Sequence, residues 1–161
     1  MLATGAATKE AFQTAHDALS DAGACLRSLP GEIGPTGNES FFNLLEVLVD
    51  KVRFMRPGKV LAIPTGWRND PSGGIHPVLL TLQRQAGAGG FSLSVVNAGA
   101  DGLEYHPMKP DPLSARMLYS TSIRCADIPA SRVEDAAFWY MILKLMLDKS
   151  YGEDGKVVLY E

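Results

Sequence analysis

Apolar positions along the chain change their spacing several times, and each change marks an element. Phe12, His16, Leu19, Ala22, Leu26 and Leu29 recur every three or four residues, which predicts one face of a helix from about Lys9 to Leu29. Pro30 and Gly31 then stop it, and "GEIGPTGN" reads as a turn-rich loop. Phe41, Leu44, Leu45, Leu48 and Val52 mark a second amphipathic helix, with Asn38 or Ser40 as its N-cap. "RPGKVLAIP" is a turn followed by a short buried strand. Two apolar runs, His76–Leu82 and Phe91–Val96, flank "QRQAGAGG" and predict a pair of strands, and another strand is expected near Arg116–Cys125. In "SRVEDAAFWYMILKLMLDK", Ser131 and Glu134 have capping-box spacing, and Lys149 suits the negative end of a helix dipole.

This order predicts an α+β domain over residues 1–161, with two N-terminal helices packed on a mainly antiparallel sheet of 59–64, 76–84 and 91–97. A C-terminal apolar helix, 131–149, covers another surface. From Ala136 to Leu147 only Lys144 is charged, so this helix is either buried on several sides or packs against another chain. The chain closes on a strand-like "KVVLYE". Both features predict a piece of a larger chain or assembly, with a protein partner docking through 131–149.

Composition narrows the classes. A length of 161 residues suits one domain with a real core. A net charge of −3 and the lack of any Lys/Arg run argue against a nucleic-acid surface. The longest apolar stretch, Ala136–Leu143, is too short to span a bilayer, and "MLATGAATKEAF" does not have the form of a secretory signal. Cys25 and Cys125 lack metal-ligand spacing, so an intracellular, reducing compartment and no cofactor are expected. "NAGADG" is not followed by a helix as a phosphate-binding loop would be. His76, His106 and Cys125 match no zinc signature. His16 lies on the apolar face of the first helix and reads as a packed or partly exposed histidine, and His106 precedes a proline in a loop that can return toward Asn97.

"IPTGWRNDPSGG", from Ile63 to Gly74, is long for a plain connection. It is either a functional loop or a surface loop whose tryptophan, Trp67, covers the sheet. Beyond it, His76 heads one strand and Asn97 ends the next, 21 positions later. In an antiparallel hairpin the start of the first strand lies opposite the end of the second, so the two side chains are expected to be neighbours. A one-residue slip in register would put them on opposite faces. A thiol hydrolase needs such a pair, one group to take a proton and a second to hold the imidazole.

"GGIHPVLLTL" followed by "FSLSVVNAGADG" resembles the second half of a papain-like cysteine peptidase core. There a Gly-His-Ala-type strand precedes a strand that ends in an Asn-x-x-Gly-type turn, and transglutaminase-like folds share the order. The resemblance covers Ser40–Gly99, with Pro77 in place of the usual small residue. It implies that His76 is the base and Asn97 its orienting partner. It also implies a nucleophilic cysteine at a helix N-terminus, where the dipole favours thiolate. Here that position holds Ser40, 36 residues before His76 and followed by an aromatic residue, Phe41. Cys25 is the other candidate, but it falls late in the first helix, where the dipole disfavours thiolate. Cys125 comes after both partners. Two readings follow: a catalytically degenerate interaction or structural module, which the misplaced thiols favour, or an active cysteine hydrolase of peptide or isopeptide bonds.

Overall fold

The computed structural model describes residues 3–28, 39–68, 74–87, 90–148, 150–152 and 154–161. The expected stop at Pro30–Gly31, the loop ending at Asn38, and Lys149 lie outside the described residues. In chain order the elements are helices α1 (Ala3–Ser28) and α2 (Glu39–Arg53), then strands β1 (Val60–Arg68), β2 (Ile75–Arg84) and β3 (Phe91–Val96). A single 3-10 turn, Leu103–Tyr105, precedes β4 (Met108–Pro110), β5 (Met117–Tyr119) and β6 (Ser122–Ile128). Helices α3 (Ala130–Val133), α4 (Ala136–Leu147) and α5 (Asp154–Tyr160) complete the described elements. The architecture is α+β, built on an antiparallel four-stranded sheet ordered β1-β2-β3-β6, with β4 and β5 forming a separate hairpin. No described helix is long and apolar enough to cross a membrane.

The two N-terminal helices pack on opposite faces of the sheet. Side chains alternate along a strand, and Leu61, Ile63, Leu80, Leu82 and Phe91 point to the side filled by Phe41, Leu44, Leu45 and Leu48 of α2 and by Trp139, Leu143 and Met146 of α4. Ala62 and Leu79 point the other way and meet α1. Helix α1 makes this contact with Ala18 and Ala22, two small residues one turn apart that let the helix approach closely. Of the predicted α1 stripe, Ala22 is buried whereas His16 and Leu19 face solvent, and the side chains of Phe12 and Leu26 lie outside the described residues.

Several elements differ from their sequence-based expectation. Strand β1 runs on through Pro64 to Arg68, so Trp67 is a fully buried strand residue and not part of a surface loop. β1 is an edge strand, where a proline is tolerated. The Ser131–Glu134 capping box does not form. Asp135 caps α4 instead, its carboxylate accepting from Ala137 N at 2.9 Å, and this takes the donor that a continuous helix would have sent to the Val133 carbonyl. The Trp139 indole N–H fills that place at 2.6 Å from Val133 O. The apolar α4 buries Trp139, Leu143, Leu145, Met146 and Leu147, leaving Met141 exposed. The expected 116–125 strand is two elements, with β5 paired to β4 and β6 paired to β3. Finally, "KVVLYE" is helical through Tyr160: its valines favour a strand locally, but contacts from Lys156 and Tyr160 across one helical face prevail.

Candidate functional site

Beyond the apolar core, the same sheet face continues into a set of polar side chains. Trp67 pairs with His76 across β1 and β2. Extending the β2–β3 register by three residues sets His76 opposite Gly99, with Asn97 on the diagonal. A Cβ on Gly99 would overlap the His76 ring, so the glycine is what allows the ring to lean toward Asn97. His76 Nε2 lies 3.0 Å from Asn97 Oδ1, and both residues are buried. The Trp67 ring stacks on the imidazole with 4.4 Å between centroids.

The orientation of the Asn97 amide follows from its partners. Its Oδ1 accepts from Gly99 N at 2.9 Å, and its Nδ2 donates to the Asp101 carbonyl at 2.7 Å and to the Tyr160 hydroxyl at 3.2 Å. Reversing the amide would set donor against donor at Gly99 and acceptor against acceptor at Asp101. Oδ1 therefore faces His76, and Nε2 of His76 must carry the proton. In the neutral ring Nδ1 is then the nitrogen without a proton, and it has no hydrogen-bond partner among the described residues.

Around this pair lies a second set of contacts. The Trp67 indole donates to Asp101 Oδ2 at 2.9 Å, and Lys156 Nζ bridges Asp101 Oδ1 and Glu104 Oε1, each at 2.9 Å. Burial alone would raise the Asp101 carboxyl, but the hydrogen bonds from Lys156 and Trp67 outweigh it and hold the group below its ordinary value. The Lys156 ammonium is pushed up by its bonds to Glu104 and Asp101. Burial raises the Tyr160 phenol. Gly102, at φ +83°, makes the turn that brings Asp101 under Trp67. His106 is buried as well, with Nδ1 2.7 Å from Ser120 O and Nε2 2.9 Å from the Tyr160 hydroxyl.

The other candidates stand elsewhere. Ser40 is the second residue of α2, exposed, with no hydrogen bond to His76. Cys125 is exposed on β6 opposite Leu93. Leu93 is four residues before Asn97, about 13 Å along the strand. Cys25 lies in α1, whose Ala18 and Ala22 contact the sheet face opposite His76, and its side chain is outside the described residues. Among the described residues, no group of three His, Cys, Asp or Glu side chains could hold a metal ion. Sequence reasoning missed Trp67, Asp101, Lys156 and Tyr160 as members of the site. "NAGADG" carried Asp101 in plain view, but the strand-like "KVVLYE" hid Lys156 and Tyr160 of α5. Comparison with family models, curated proteins and solved structures gave no match.

Proposed function

We propose that this chain carries the base and orienting pair of a papain-like hydrolase acting on peptide or isopeptide bonds. His76 takes the proton of a nucleophile presented at Nδ1, and Asn97 holds the ring. The observation that carries this reading is the fixed amide of Asn97, which leaves Nδ1 of His76 as the basic nitrogen. Asn97 Oδ1 accepts from Nε2–H whether the ring is neutral or protonated, so one geometry serves both halves of a proton transfer. Trp67 covers one face of the ring.

A second reading, the catalytically degenerate module, is favoured by the places of Ser40 and Cys125. Its partner surface would lie on the exposed side of α4 around Met141. The two readings part under labelling with a thiol-directed electrophile at mildly acidic pH, where an ordinary thiol is almost wholly protonated. The hydrolase reading expects rapid modification of Cys25 or Cys125 that disappears in His76→Ala. Slow modification of both cysteines, equal in wild type and His76→Ala, would remove it and leave the module.

A further inference from the structure

Three hydrogen bonds connect His76 to His106, 30 positions further along the chain, and a fourth anchors His106 to the Ser120 carbonyl; with both imidazoles neutral each bond has one direction. Ser120 O is a carbonyl and can only accept, so His106 Nδ1 carries the proton and donates to it at 2.7 Å. In the neutral ring His106 Nε2 is then the acceptor, and the Tyr160 hydroxyl donates to it at 2.9 Å. Having donated there, the Tyr160 oxygen accepts from Asn97 Nδ2 at 3.2 Å. Asn97 Oδ1 in turn accepts from His76 Nε2. Tyr160 is also held as a ring: it stacks on Tyr105 with centroids 4.8 Å apart and planes 2° apart, and it meets Trp67 edge-on.

We infer that Tyr160 and His106 are positioning residues for His76, holding the Asn97 amide in the orientation that keeps Nδ1 of His76 as the base. The inference rests on the reading of His76 as a base. It goes beyond that reading by assigning α5 a part in the site: the last turn of this helix sets the tautomer of a ring on the sheet. Without the Tyr160 hydroxyl, Asn97 Nδ2 keeps only the Asp101 carbonyl, and the balance between the two amide orientations narrows. The reversed amide presents Nδ2 to His76, which then accepts through Nε2 and carries its proton on Nδ1. In that state the nitrogen that faces a nucleophile is a donor and cannot act as a base.

Two-bond nitrogen–proton correlation spectra of the labelled protein read both tautomers directly. The wild type is expected to show His76 protonated on Nε2 and His106 on Nδ1. In Tyr160→Phe the ratio of Nε2–H to Nδ1–H forms of His76 should fall about fivefold, the factor that one ordinary hydrogen bond commands. His106→Leu should lower it similarly, because Tyr160 loses the acceptor that fixes its hydroxyl. His106→Gln should restore it, since one amide can donate to Ser120 O and accept from Tyr160. A wild-type ratio in both Tyr160→Phe and His106→Leu would overturn the inference. If Tyr160→Phe does not fold, the His106 pair decides: equal ratios in His106→Leu and His106→Gln would overturn it, and rescue by Gln alone would support it. The readout needs no turnover. Failure of His76 to activate a thiol would remove the hydrolase reading while leaving the tautomer result intact.

Discussion

Under α2 and α4 the sheet face is filled by Leu61, Ile63, Leu80, Leu82 and Phe91, whereas a few residues further along the same strands, under α5, it is filled by Trp67, His76 and Asn97. Both ends exclude water, but they do so by different physics. At the apolar end the contacts are many, weak and without direction, so any side chain of suitable volume serves. At the polar end each atom has an assigned partner, and a donor in the place of an acceptor is costly. The first end supplies stability and the second supplies one arrangement of protons.

The contrast is tested most severely by truncating one end and crowding the other. Leu82→Ala should cost about 3 kcal/mol in denaturant unfolding, because the fully buried side chain leaves a cavity under α2 and α4. It should leave the His76 tautomer unchanged. Gly99→Ala should cost less, about 1 to 2 kcal/mol as the ring and its neighbours shift around the added methyl. Yet it should break the His76–Asn97 bond, visible as loss of the single Nε2–H form. An equal loss of the tautomer in Leu82→Ala would erase the distinction between the two ends.

A smaller effect separates the ends by pH. The polar end carries Asp101, whose carboxyl is held below its ordinary value of 3.8, and Tyr160, whose phenol is raised above 10.0. Since the folded state favours ionised Asp101, this contribution is complete above the ordinary carboxylate range. It is lost as the pH falls through 3.8 and below. For Tyr160 the folded state favours the neutral phenol, so the contribution is complete below pH 10.0 and is lost as the pH rises beyond it. Urea midpoints measured against pH should show a flatter acid limb in Asp101→Asn and a flatter alkaline limb in Tyr160→Phe. Leu82→Ala should lower the whole curve without changing its shape.

The same contrast explains what could be seen in the sequence. Helix α2 and strands β2 and β3 were legible because burial on one face writes a period into the chain, as Phe41, Leu44, Leu45 and Leu48 do. The β4–β5 hairpin has no buried face to write one, and its residues are exposed throughout. His76 and Asn97 were legible as a pair because hairpin geometry alone sets the start of one strand against the end of the next. Trp67 was misplaced because Pro64 and Gly66 look like a loop, although on an edge strand they pair regularly with Leu79 and Pro77. Tyr160 left no signal at all. Its role depends on a seven-residue helix whose own valines favour the extended state, and only contacts distant in sequence decide the matter.

The smallest effect is expected at Cys125, which belongs to neither end. It sits on the edge strand β6, exposed, and its Sγ makes a long 3.9 Å contact with the adjacent Ala126 carbonyl. An exposed thiol replaced by a hydroxyl of nearly the same size leaves no buried cavity. Cys125→Ser should therefore shift unfolding stability by less than about 0.5 kcal/mol. It should leave the Nε2–H signal of His76 in place, because the path from Leu93 to Asn97 runs through backbone that the substitution does not move. With Cys125 replaced, the only remaining thiol is Cys25, so electrophile labelling of Cys125→Ser reports on that residue alone. Comparison of this variant with Cys125→Ser/His76→Ala then shows whether the basic nitrogen of the polar end reaches a thiol. If replacing Cys125 changed the His76 signal, the site would extend across β3 to the far edge of the sheet, and the boundary drawn here between the two ends would be misplaced.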